Sequence, residues 1–216
     1  MEITIKNSWD EVTWNEYEQI EQILSTDIPD DYKAVHLVSI LAGMPVDEVE
    51  KLPISAFNRI LSKTSFLYTE PETHPHRFEY TVNGREYEFK GKLTEITTAQ
   101  YLDYRAYVTE EDKDVTRLLS AFFIPKGHEY NDGYDMEQVL KDIGDMCWLD
   151  VRACGFFFRT QLAAFILILK SSLKRTMKKT TATKKQIQEM EESLNNMASY
   201  LLYAESVNSQ ILNSIK

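Results

Sequence analysis

Asn83-Gly84 is the feature that most constrains this chain. It sits between two runs of alternating residues, Phe78, Tyr80 and Val82 before it and Tyr87 and Phe89 after it. Asn-Gly accepts positive φ at both central turn positions, which a two-residue hairpin turn requires. The spacing therefore predicts an antiparallel hairpin over residues 76–91, with Tyr80 opposite Tyr87 and Phe78 opposite Phe89. Period-2 alternation puts these four aromatics on one face. Arg77, Glu79, Glu88 and Lys90 fall on the other, where they can pair diagonally. A lone hairpin is marginal in water, so the aromatic face must dock on helices or on a partner.

The rest of the chain reads as helix. Trp14 to Leu24 is amphipathic at helical spacing. Asp30 or Asp31 is expected to cap a second helix through Leu41, with Ala34, Val35, Leu37, Val38 and Leu41 facing inward and Gly43 at its C-terminal cap. A short helix is expected between Pro45 and Pro53, and another from Ser55 to Leu61. Thr97 to Tyr107 and Val115 to Phe123 follow, the latter ended by Pro125, and Asp135 is placed to cap a helix into Ile143. Residues 2–5 read as a short edge strand. No Pro follows Pro125 and no Gly follows Gly155, so two long helices are expected from Asp145 onward, breaking near Thr180-Thr181-Ala182-Thr183. The expected fold is mainly α. A helical lobe over 1–144 carries the inserted hairpin, and a long helical pair or extended helices occupy 145–216.

Charge is distributed unevenly. The net charge is −10, which excludes a general nucleic-acid coat, since phosphate binding needs excess Lys and Arg. Residues 1–51 hold twelve acids against three lysines, whereas residues 170–185 hold seven basic residues and no acid. Lys170, Lys174, Arg175, Lys178 and Lys179 share one broad side of a helix, extended by Lys184 and Lys185. Two readings stand. One is a solvated helix end complementing its own dipole; the other is contact with an acidic partner, with nucleic acid or, after the apolar helix, a membrane surface as the weaker options. A neighbouring copy, through its acidic N-terminal lobe, is one such partner. A second candidate surface is the seam Ile187, Met190, Leu194, Met197, Leu201 and Ala204, spaced 3, 4, 3, 4, 3 as in a coiled coil. It packs either on the preceding helix or on another subunit.

No motif for catalysis, metal or cofactor emerges. Of the histidines, His36, His74, His76 and His128, the pair around Pro75 lies near Glu70 and Glu72 but lacks a second ligand cluster, and a solvated loop is the reading. Asp142, Asp145 and Asp150 read as charges at a helix start rather than an acid–base pair. Cys147 lacks an identifiable base. On one helix Cys147 and Cys154 would lie about 10 Å apart, beyond disulfide reach, so both are expected free, as in a reducing compartment. The opening Met1-Glu2-Ile3-Thr4-Ile5-Lys6 has no signal-peptide pattern. Ala153 to Leu169 contains Arg159 and falls short of the ~20 apolar residues of a membrane span, so it reads as a core helix.

Three passages resemble a known family. They are Trp9-Asp10-Glu11-Val12-Thr13-Trp14; the segment Leu41-Ala42-Gly43-Met44-Pro45-Val46-Asp47-Glu48-Val49-Glu50-Lys51-Leu52-Pro53; and Val82-Asn83-Gly84-Arg85-Glu86-Tyr87-Glu88-Phe89 with the following Leu93 to Tyr101. In this order they resemble small morphogenetic proteins of tailed phages, in particular crAss-like phages of gut Bacteroidetes, and also tail-assembly chaperones. The resemblance covers roughly residues 9–105 and transfers no site residue. It implies a non-enzymatic virion protein, located in the virion and in the host cytoplasm during assembly. Such a protein would be an internal cargo protein or a structural subunit of the portal or tail region, with other phage structural proteins or itself as partners. A tail-assembly chaperone that is not retained in the virion is the alternative. The long C-terminal helices depart from a minimal chaperone and favour the first reading.

Overall fold

Thr13 starts the first helix with a reciprocal cap. Its hydroxyl accepts from the Glu16 N–H at 3.3 Å, and the Glu16 carboxylate accepts from the Thr13 N–H at 2.8 Å; this satisfies two donors that a helix start leaves open. The computed structural model describes residues 3–92, 94–109, 114–157, 160–161 and 188. Helix α1 runs Trp14–Ser25 and buries Trp14, Tyr17 and Ile20. Helix α2, Asp30–Ala42, buries Leu37, Val38 and Leu41 and ends at Gly43 with φ 62°, the left-handed cap expected there. Its N-cap is Pro29. Asp30 and Asp31 therefore act through charge in the first turn, favourable to the helix dipole, and not as caps. Helix α3 (Val46–Val49) lies between Pro45 and Pro53, and α4 (Ile54–Leu61) leads into a 3-10 stretch, Ser62–Tyr68.

The strand expected at 2–5 does not form among residues 3–5. Ile5 is instead buried, and the Lys6 N–H donates to the Leu41 carbonyl at 3.1 Å. The segment closes the end of α2, so its apolar residues serve helix packing.

The hairpin forms in the expected register. β1 (Glu79–Val82) pairs with β2 (Arg85–Phe89), Tyr80 opposite Tyr87, and the Phe89 N–H donates to the Phe78 carbonyl at 2.8 Å. Asn83 and Gly84 take φ 51° and 76°. A third strand was missed. The helix expected to run to Phe123 stops earlier, as α6 (Val115–Ser120), and β3 (Phe123–Pro125) joins the far side of β2 in the order β1-β2-β3. The reason is burial on both faces: Phe122, Phe123 and Ile124 are all fully buried. A continuous apolar run of that kind suits a covered strand as well as a helix, and periodicity alone does not separate them.

Helix α5 (Thr98–Thr109) precedes α6, and α7 (Met136–Asp145) is capped by Asp135, which accepts from the N–H groups of Glu137 and Gln138 at 3.0 and 3.2 Å. Residues 148–157 form a further helix, α8. The architecture is mainly helical with a small antiparallel sheet, as expected. Met146, Trp148, Leu149, Val151 and Cys154, which the sequence assigns to the C-terminal part, belong to the same core as α1 and the hairpin. The basic residues at 170–185, the seam from Ile187 to Ala204, and the break near 180–183 lie outside the described residues. Among the described residues, no helix is long and apolar enough to cross a membrane.

Gly91 is needed for close packing. A Cβ there would lie 2.2 Å from the ring of Phe89, which is buried against Phe122 and Phe123. Gly91→Ala is expected to lower stability by about 1–3 kcal/mol, the usual cost of overpacking. Urea unfolding of the two proteins checks this.

Candidate functional site

Between β1 and the α7–α8 junction lies an open groove of about 400 Å³, lined by Arg77, Glu79 to Asn83, Asp145, Met146, Cys147 and Asp150. One wall is the free edge of the sheet, because β1 is an outer strand. Antiparallel pairs alternate between hydrogen-bonded and non-bonded types. Since Phe78 bonds Phe89, the bonded pairs are 78/89, 80/87 and 82/85. The backbone groups of Glu79 and Thr81 therefore point outward along the groove. The opposite wall is extended chain, where Cys147 bridges Thr13 across the Trp14 N–H to Met146 carbonyl bond (2.8 Å) and the Trp148 N–H to Val12 carbonyl bond (3.0 Å).

Two carboxylates pin the groove. At one end Asp142, fully buried near the C-terminal end of α7, accepts from the Tyr87 hydroxyl at 2.6 Å, Asn83 Nδ2 at 3.0 Å, Gln138 Nε2 at 2.9 Å and Arg85 Nη1 at 3.1 Å. Asn83 also donates to Asp145 at 2.9 Å. The turn residue chosen for positive φ thus also ties the hairpin to α7. Burial raises the Asp142 pKa, but these four donors outweigh it, and the net displacement is below the ordinary carboxylate value. At the other end Asp150, in the first turn of α8, pairs with Arg77 and lies 3.0 Å from His74 Nδ1. His74 Nε2 lies 2.7 Å from Asp10. Asp150 is at a helix start, as expected. Asp142 is not; its role is to hold three side chains from the hairpin.

The loop His74-Pro75-His76 is correspondingly not a solvated loop. His74 is bonded on both sides, and His76 stacks on Phe157 at 4.0 Å with Phe78 and Phe89 edge-on at 4.8 and 4.9 Å. Burial pushes the His76 pKa down. Cys147 and Cys154 are free, as expected. Burial pushes the Cys154 thiol up to about 12, which makes it a poor nucleophile at neutral pH. Among the described residues, no group of three or more His, Cys, Asp or Glu could hold a metal ion.

Of the four hairpin aromatics proposed to dock, Tyr80, Tyr87 and Phe89 are buried against the chain's own helices, while Phe78 stays 44% exposed. Phe157 packs edge-on to it with ring centroids 5.5 Å apart, and Phe156, the residue before, is 57% exposed. Sequence reasoning missed the Asp10–His74–Asp150 and Asp142 clusters, whose hydrogen-bonded pairs lie up to 76 residues apart. The local signal is weak: Asn83 and Arg85 stand at the hairpin turn between apolar alternations, and Asp142 stands beside Ile143. The chain matches no protein-family model, no curated protein and no solved structure.

Asp142→Ala is expected to cost about 2–3 kcal/mol, because the Tyr87 hydroxyl and Asn83 amide lose a charged acceptor, while half-exposed Arg85 regains water. The pH sign follows from the depressed pKa. The contribution of Asp142 is present above the unfolded value of ~3.9 and is lost as pH falls through the lower folded value. Denaturant unfolding at pH 7 and pH 3 should show a smaller gap between wild type and variant at the acid pH.

Proposed function

We propose that this chain is a non-enzymatic virion protein of a tailed phage, packaged as an internal cargo protein or built into the portal and tail region, and that it works through protein–protein contacts. The phage assignment rests on the resemblance carried by residues 9–105. The contact role is supported by one observation above others: Phe78 on the hairpin and Phe156 at the entry to the apolar stretch Ala153 to Leu169 each keep large apolar surface exposed. Exposed apolar surface of this kind is usually covered by a partner. The buried carboxylates agree with this reading, since Asp142 and Asp150 are occupied by structural hydrogen bonds. The outward backbone of β1 offers a second contact, by strand addition.

The basic residues Lys170 to Lys185 and the seam Ile187 to Ala204 are the remaining contact surfaces in this reading. Leu194→Asp combined with Leu201→Asp is expected to abolish assembly between copies, read by light scattering of the full chain. Unchanged oligomerisation and stability would remove the seam. Charge reversal at Lys174, Arg175 and Lys178 should weaken partner binding in a salt-sensitive manner.

Quantitative mass spectrometry of purified particles and of the producing cells tests the proposal itself. Many copies per particle are expected. Abundance in cells with absence from particles would transfer the role to a tail-assembly chaperone, for which the exposed Phe78 and Phe156 would form the client-shielding surface.

A further inference from the structure

Both ring nitrogens of His74 face carboxylate oxygens, Nε2 at 2.7 Å from Asp10 and Nδ1 at 3.0 Å from Asp150. A neutral imidazole carries one N–H and one lone pair. In either neutral tautomer, one nitrogen lone pair would point at a carboxylate oxygen at hydrogen-bond distance with no proton between them. Only the doubly protonated ring makes two favourable contacts. With both carboxylates ionised, the geometry therefore favours an imidazolium.

The two carboxylates belong to different parts of the fold. Asp10 lies in the 3-10 turn Trp9–Glu11, and Asp150 lies in the first turn of α8. Residues 70–77 have no helix or strand of their own, so they are held across these elements by side chains. At the start the Trp9 indole N–H donates to the Thr69 carbonyl at 3.1 Å, and Pro71 is buried. At the end Arg77 pairs with Asp150, and its backbone N–H donates to the Tyr80 hydroxyl at 3.1 Å. His74 is the central attachment. The charged groups around it are Asp10, Asp150 and Arg77, with Glu70 and Glu72 exposed on the strap itself. Asp10, Asp150 and Arg77 together leave one uncompensated negative charge. Burial keeps the nearby groups Cys147, Cys154 and Tyr80 protonated and neutral.

We propose that His74 is a pH-responsive latch: as an imidazolium it straps residues 70–77 across Asp10 and Asp150, and loss of one proton releases the strap.

The direction of response follows from the surroundings. Burial disfavours the charged ring, but the hydrogen bonds and charges of Asp150 and Asp10 outweigh it, so His74 titrates above its ordinary value. Its contribution is fully present below the unfolded value of ~6.5 and is lost as pH rises through the folded one. His76, two residues on, responds in the opposite sense. Burial between Phe157, Phe78 and Phe89 holds it neutral, so its contribution is present above ~6.5 and is lost as pH falls below it. The strap is therefore tightest between the two midpoints, with His74 charged and His76 neutral. The alkaline edge belongs to His74 and the acid edge to His76.

Nitrogen-15 NMR of the imidazoles in the full chain, between pH 5 and 9, tests the latch. The expected result is a His74 midpoint above ~6.5, with both ring nitrogens protonated below it. Hydrogen exchange of residues 70–77, corrected for the intrinsic pH dependence of amide exchange, should accelerate in a step at that midpoint. His74→Gln should remove the step and leave exchange fast throughout. Should that variant fold poorly, Asp10→Asn at the exposed side should lower the His74 midpoint in a folded protein. A His74 midpoint at or below ~6.5, or strap exchange without a step at the His74 midpoint, would overturn the proposal.

Discussion

The short antiparallel bridge between Thr13 and Cys147 is the contact on which the described fold depends. Two backbone bonds, from Trp14 to Met146 and from Trp148 to Val12, bring together segments more than 130 residues apart in sequence. They set the start of α1 beside the start of α8. Trp148 can then stack on Tyr17 with ring centroids 4.2 Å apart and an interplanar angle of 3°, while Trp9 packs edge-on to Trp148 at 5.1 Å. Aromatic pairs of this kind bury large areas and add directional preference. The capping box of Thr13 works at the same point: Thr13 ends the bridge and begins the helix.

The sheet is held from outside by polar contacts and from inside by aromatic ones. Tyr87 shows both, with its ring in the core and its hydroxyl on Asp142. A buried carboxylate is tolerable only when its hydrogen-bonding capacity is filled, and here Tyr87, Asn83, Arg85 and Gln138 fill it. Three of those donors come from the hairpin. The hairpin is thereby fixed in angle as well as position, which leaves the edge of β1 open beside the α7–α8 junction. The groove, the strap with His74, and the exposed Phe78 all lie around this hairpin, so the site and the fold share one anchor.

Much of the helical layout was legible in the sequence because the signals are local. Gly43 after Leu41 marked the end of α2, Asp135 marked the start of α7, and the prolines at 45 and 53 framed α3. Asn83-Gly84 fixed both the turn and the pairing of Tyr80 with Tyr87. Failures occurred where two local rules agree on burial and disagree on shape. Phe122-Phe123-Ile124 satisfied a helix end and a buried strand equally, and pairing with β2 decided between them. Ile3 and Ile5 alternate like a strand, yet the partner offered to Lys6 is the end of α2. The hairpin aromatics left open whether the chain's own helices or a partner would cover them, and three of the four are spent on the internal core.

By itself the sequence determined the helical class, the hairpin and its register, the free thiols, and the separation of acidic and basic charge along the chain. Each follows from residues within a few positions of one another, where backbone preference and side-chain period act without distant partners. The tertiary structure alone decided that Asp142 is a buried acceptor, that β2 gains a third strand, and that His74 stands between two carboxylates. Those outcomes depend on groups brought together from 55 to 76 residues away in the Asp142 and His74 clusters. A charged side chain looks the same in sequence whether water or a neighbour satisfies it; its role is set only once packing removes the water.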